Sequence, residues 1–173
     1  METVKGPDSF AEKLTSLVER YQLPLLRLCF AYLHDEEMAK DAVQDTFIKV
    51  YRSMADFKNQ ASEQTWLYRI AINVCKDMRR SAWFRYIDRT VTLDMLPEPV
   101  VEAEDHESEL TVQIMNLPPK LREVALLCWF QGMTYEAAAE ILDISFQAVG
   151  SRLNRARKKL RIYLERSERN DFA

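Results

Sequence analysis

Apolar residues recur at steps of three and four along the first part of the chain: Phe10, Leu14, Leu17, Val18, Tyr21, Leu25, Leu28 and Tyr32. That spacing is the period of a helix with one buried face, so 10–33 reads as one or two helices. Pro24 lies inside the run. It has no N–H to donate and crowds the preceding turn, which predicts a kink or break there. Asp35 can cap a following helix whose apolar stripe is Met38, Ala42, Phe47 and Val50. The polar stretch 58–64 interrupts the pattern. It resumes over 65–80, with Leu67, Ile70, Ala71, Val74 and Met78 inward. Between 81 and 108 the period is lost, and Pro97 and Pro99 mark a linker. Beyond Ser108 helices are predicted over 108–116, 119–131, 134–142 and 145–166. Pro118 and Pro119 separate the first two, and Gly132 ends the second in a left-handed conformation. The expectation is an all-α protein of two small helical domains, 1–81 and 108–173, joined by a linker over 82–107.

Composition agrees with that reading. The 173 residues are 47% hydrophobic with only 3 glycines and 6 prolines, too few for turn-rich β architecture. No run approaches the ~20 apolar residues of a membrane span, and Met1–Phe10 lacks the apolar core of a signal peptide. A cytoplasmic protein that is not itself a membrane protein is expected. Cys29, Cys75 and Cys128 are an odd number far apart, which argues against a disulfide framework or a zinc site. Each sits on or beside an apolar stripe, as a buried free thiol would.

The formal net charge is −3, but the charges are segregated. Between Ser145 and Arg166 stand seven basic residues and one acid, Glu165; between Asp94 and Glu109 stand seven acids and no Lys or Arg. The linker is therefore acidic and the C-terminal part basic, and the distribution rather than the sum bears on nucleic acid.

Thr134–Arg161 is the most informative stretch. Thr134 can cap one helix and Ser145 the next, with Asp143-Ile144-Ser145 as the turn between them: a helix-turn-helix. Ala138 and Ala139 are small enough for close packing. The second helix places Phe146, Val149, Leu153, Ala156 and Leu160 on one face. Gln147, Gly150, Ser151, Asn154, Arg155 and Lys158 fall on the other. Arg, Gln, Asn and Ser match the hydrogen-bonding edges of bases in the major groove, and Arg152, Arg157 and Lys159 suit phosphates. A solvated basic face on a packing helix is the plainer alternative.

Helix 65–80 is sorted in the same way, with Trp66, Arg69, Asn73, Lys76 and Arg80 opposite its apolar stripe. Such a face could stack on bases and track a backbone, although Trp66 could equally be core. The loop Lys58-Asn59-Gln60-Ala61-Ser62-Glu63 could line a pocket. Helix 35–51 differs, because its polar face carries Asp35, Glu36, Glu37, Lys40, Asp41, Gln44 and Asp45. Acids repel DNA, so this face turns to solvent or to a protein.

Four stretches in order resemble the extracytoplasmic-function (ECF) sigma factors, bacterial transcription initiation factors. Asp41-Ala42-Val43-Gln44-Asp45-Thr46-Phe47 resembles the helix that binds core RNA polymerase. Thr65-Trp66-Leu67-Tyr68-Arg69-Ile70-Ala71-Ile72-Asn73, continuing to Asp77 and Arg80, is similar to the promoter-melting segment. Leu117-Pro118 and 132–139 resemble the opening of the second domain, and 149–160 its recognition helix. The resemblance spans residues 10 to 165. It implies that region two docks on core polymerase through Asp41, Gln44, Asp45 and Phe47. It implies minus-ten reading and melting by Phe57, Lys58, Asn59, Gln60, Ser62, Trp66, Arg69, Asn73, Lys76 and Arg80. Region four would read the minus-thirty-five element through Ser145, Gln147, Ser151, Arg152, Asn154, Arg155 and Lys158. Gly150 stands where many family members carry a basic residue. The resemblance also implies promoter DNA and an anti-sigma factor as partners.

Three other classes compete, one of them a pure protein-interaction module, which would have no DNA affinity even in the polymerase complex. An ordinary helix-turn-helix regulator would share the second domain, but would need neither the Trp66–Arg80 helix nor the acidic one, and would usually dimerise. An enzyme is disfavoured. There is no Gly-rich phosphate loop, and His34 and His106, the only histidines, stand in no catalytic spacing. No cofactor, metal or small-molecule substrate is expected.

Overall fold

A computed structural model describes residues 7–58, 61–80, 95 and 105–171. They fall into two compact units that divide between Ile87 and Asp88. Among the described residues every regular element is helical.

The first unit comprises α1 (Pro7–Leu33), α2 (Glu36–Ser53), a 3-10 turn (Met54–Asp56) and α3 (Glu63–Arg80). α1 is one helix that runs through Pro24, so the predicted break does not occur. An interior proline costs about 3 kcal/mol. Leu25, Leu28, Cys29 and Phe30, in the next turn, are 0–1% exposed, and each large side chain so buried contributes roughly 1.5–3 kcal/mol. Their burial outweighs the lost hydrogen bond. The helix ends at His34, which takes the left-handed conformation (φ 55°) and donates its N–H to the Phe30 carbonyl at 2.7 Å. That reversal sets Asp35 in extended backbone, where Oδ1 accepts the Met38 N–H at 2.9 Å and caps α2 as predicted.

α2 buries Ala39, Ala42, Val43, Thr46, Phe47 and Val50. The Thr46 hydroxyl donates to the Ala42 carbonyl at 2.6 Å, which satisfies its polar group inside the core. α3 packs against both α1 and α2. It therefore buries a wider arc than its period suggests: Leu67, Ala71 and Val74 as expected, and also Thr65, Tyr68, Ile72 and Cys75, while Ile70 and Met78 are only half-buried. Cys75 meets Cys29 of α1 across this interface. Their sulfur hydrogen bond, together with burial, pushes the Cys29 thiol well above its usual range. Both are buried free thiols, as expected. Cys128, in the second unit, is half-buried.

The second unit comprises α4 (Asp105–Met115), α5 (Pro119–Ala125), a π turn (Leu126–Phe130), α6 (Tyr135–Leu142) and α7 (Phe146–Asp171). Buried Arg122 donates from its guanidinium to the Met115 carbonyl, closing the C-terminal end of α4. The helix predicted over 119–131 widens in its last turn. There the Gln131 N–H reaches the Leu126 carbonyl, five residues back, at 3.1 Å. Gly132 then takes φ +62°, as expected of a residue ending a helix.

Thr134 Oγ1 accepts the Ala137 N–H at 3.2 Å, and Ser145 Oγ accepts the Ala148 N–H at 3.1 Å. Both helix starts of the helix-turn-helix are thus capped by the expected hydroxyls. The turn passes through Asp143 in the left-handed region (φ 54°, ψ 51°). α7 packs on α5, α6 and α4 through Val149, Leu153, Ala156 and Leu160.

Candidate nucleic-acid interface and acidic docking face

α7 presents one continuous polar face. Gln147, Ser151, Asn154, Arg155 and Lys158 are all exposed along it, with the capping Ser145 exposed at its start. Arg152 does not join them. It makes a 2.9 Å salt bridge to Glu123 of α5, with the two side chains only 19% and 12% exposed. Its position at the edge of the buried stripe ties it to α5, unlike the open residues of the face. Arg157 lies over the Trp129 ring, 5.7 Å from its centroid. Gly150 also differs from expectation. It is half-buried and faces α6, where a Cβ would stand 3.7 Å from Tyr135 Cε2. Phe146, predicted inward, is 47% exposed.

In the first unit Phe57, ahead of α3, and Trp66, in the first turn of α3, form a clamp. The Phe57 and Trp66 rings stack at 4.4 Å with planes 25° apart, which leaves Trp66 half-buried with one ring face covered. The Lys13 ammonium of α1 lies 5.6 Å from the Phe57 centroid and 2.9 Å from a Glu63 carboxylate oxygen. Ser62 Oγ accepts the Thr65 N–H at 3.0 Å, so this residue is the N-cap of α3. Lys58 is exposed, and Asn59 and Gln60 lie outside the described residues. On α3 itself Asn73 and Arg80 are exposed, while Arg69 and Lys76 are half-buried. Asp77 sits among the cations, 3.6 Å from Arg80 and 3.9 Å from Lys49.

The acidic face of α2 is real. Asp41, Gln44 and Asp45 are exposed, whereas Lys40 binds Glu36 and Glu37 at 2.9 Å each. Those carboxylates, Glu36 first, hold the Lys40 ammonium above its usual range. Phe47 is 9% exposed and packs in the core, so it seats the helix. The outward apolar residues are Ile48 and Tyr51, each 48% exposed. Sequence reasoning passed over both, although Ile48 follows Gln44 by four residues and Tyr51 follows it by seven, on the same helical stripe. Among the described residues no cluster of metal-ligating side chains occurs, and no helix is long and apolar enough to cross a membrane.

Comparison with known proteins matches this arrangement to a family. Residues 17–85 match the Sigma-70 region 2 family, and residues 108–160 match the Sigma-70, region 4 family. The chain is 32% identical over 158 residues to the RNA polymerase sigma-H factor of Pseudomonas aeruginosa, covering 83% of this chain and 82% of that protein. It is 31% identical over 174 residues to the ECF RNA polymerase sigma-E factor of Haemophilus influenzae, covering 92% and 90%. The solved structure of CnrH, in complex with the cytosolic domain of CnrY, superposes with a TM-score of 0.68 at 27% identity, covering 92% of this chain and 90% of CnrH. Two helical units with these two families in this order define an RNA polymerase sigma factor. The chain belongs to the extracytoplasmic-function group of that family, whose members are transcription initiation factors.

Proposed function

We propose that the chain divides promoter-specific initiation between its two domains, 1–81 and 108–173, with 82–107 as the linker. The face of α2 formed by Asp41, Gln44, Asp45, Ile48 and Tyr51 docks on core RNA polymerase. Its acids favour a basic partner, and its two exposed apolar side chains supply area to bury. Phe47 supports the face from behind.

The clamp of Phe57, Ser62 and Trp66, with Lys58, Asn59 and Gln60, and the α3 residues Arg69, Asn73, Lys76 and Arg80, meets the minus-ten element and holds it open. Extruding a base costs a few kcal/mol, which a shaped pocket must repay. Phe57 and Trp66, already stacked, offer an aromatic platform without further ordering.

α7 enters the major groove of the minus-thirty-five element. Gln147, Ser151, Asn154 and Arg155 read base edges there, and Ser145 and Lys158 hold phosphates. The protein acts in the cytoplasm and catalyses no reaction of its own. CnrH is solved with the cytosolic domain of CnrY, and a sigma factor RpoE with the anti-sigma factor NepR from Bartonella quintana. By that likeness we infer an anti-sigma factor for this chain.

The observation that carries the reading is the pairing of opposite surfaces in one chain: an acidic, part-apolar face on α2 and a basic, amide-rich face on α7. Co-elution with purified bacterial core polymerase tests the first half. The wild-type chain is expected to co-elute, and Asp41→Lys combined with Ile48→Ala to dissociate. Retention of that double variant would remove α2 from the interface.

A further inference from the structure

Phe146 opens the recognition helix and is 47% exposed, although its spacing to Val149 and Leu153 predicts burial. Its ring has one aromatic neighbour among the described residues. The Tyr135 ring lies against it, with centroids 5.6 Å apart and planes tilted by 50°. Tyr135 in turn overhangs Gly150, one helical turn beyond Phe146, at 3.7 Å from the place of the missing Cβ. A longer side chain at 150 would compete for that space. The backbones that carry the two rings are fixed by the Thr134 and Ser145 caps. The result is an exposed aromatic side chain, braced from behind, beside the exposed polar Gln147.

Recognition helices meet base edges through their N-terminal residues. Of the four bases only thymine presents a methyl group in the major groove, and an apolar side chain such as Phe is its complement. Asn154, Arg155 and Lys158 farther along α7 are polar or cationic and exposed, so the surface that covers Phe146 is hydrogen-bonding and anionic, as duplex DNA is. We propose that Phe146, braced by Tyr135 over Gly150, selects a thymine in the minus-thirty-five element through its 5-methyl group. This rests on the reading of α7 as the minus-thirty-five helix, and adds to it an apolar contact where the other residues of that face make hydrogen bonds.

The test uses holoenzyme reconstituted from core polymerase and the full chain. A promoter pool with a randomised minus-thirty-five block is selected with the wild type and with Phe146→Ala. Each selected thymine is then replaced by deoxyuridine, which keeps every hydrogen-bonding group and lacks only the methyl. The expected result is one thymine position at which uridine lowers wild-type complex formation about fourfold, the worth of one buried methyl. Phe146→Ala should lose the preference at that position and show no uridine effect. Uridine tolerated everywhere by the wild type, an equal uridine loss in Phe146→Ala, or no thymine preference at all would overturn the proposal. The uridine series on wild-type protein decides even if the variant folds poorly. Transcription indifferent to scrambling the whole block would instead overturn the reading of α7 itself.

Discussion

α3 and α7 are both amphipathic helices with amides and cations on their outer faces, yet they offer DNA different things. α7 rests on its own domain by a narrow stripe, and its outer face stays open, with Gln147, Ser151, Asn154, Arg155 and Lys158 all exposed. Among the described residues neither Arg155 nor Lys158 has an ion-pair partner. α3 is wedged against two helices, and its outer strip is correspondingly thin: Asn73 and Arg80 exposed, Arg69 and Lys76 half-buried, and Asp77 drawing on Arg80 and Lys49. α7 suits the groove of an intact duplex, where an exposed helix face reads edges in line. α3 offers a stacked aromatic pair and a few polar groups, which suits unpaired bases. The difference lies in the width of the arc each helix buries, not in its composition.

Changes within α7 separate support from contact most sharply. Arg152→Ala leaves Glu123 partly buried without its salt bridge, and should destabilise the second unit by about 3 kcal/mol. Urea denaturation checks this. An unchanged midpoint would return Arg152 to the DNA-facing set. Arg155→Ala should do the reverse, leaving stability untouched and weakening promoter binding by about 2 kcal/mol, read in holoenzyme binding at fixed salt. Equal promoter strength would remove Arg155 from the interface.

On the α3 side, Ser62→Ala removes the cap and should cost the first unit about 1 kcal/mol. A purely DNA-contacting serine would leave the melting temperature where it was. The smallest effect concerns Gly150. An alanine there meets Tyr135 at ordinary contact distance within a helix, so Gly150→Ala should stabilise the second unit by roughly 0.5 kcal/mol. A loss of stability would mean that Tyr135 cannot share that space.

Much of this was legible in the pattern of residues. Asp35, Thr134 and Ser145 were readable as caps because an N-cap is a local matter of one oxygen and one N–H three residues on. The inner stripes of α2 and α7 followed from periodicity, except that Met38 is only half-buried and Phe146 is exposed. What escaped depends on partners distant in the chain. Arg152 and Arg155 are three residues apart and look alike until Glu123 of α5 claims one of them. The approach of Cys75 to Cys29 comes from helix docking, and no spacing encodes it. Phe47 and Ile48 are adjacent, and only the rotation of α2 against its neighbours buries the first and exposes the second. Of the two outcomes open at Pro24, a kink or a break, the break is absent, because the local penalty is offset by the burial around it.

The most direct test of the whole account is run-off transcription from a genomic fragment library by purified bacterial core RNA polymerase, with and without this chain. New transcripts that depend on the chain, with start sites sharing a minus-ten and a minus-thirty-five element, are the expected result. No transcripts, together with failure to co-elute with core polymerase, would contradict it, and would leave the second unit as the helix-turn-helix of a regulator that works without docking.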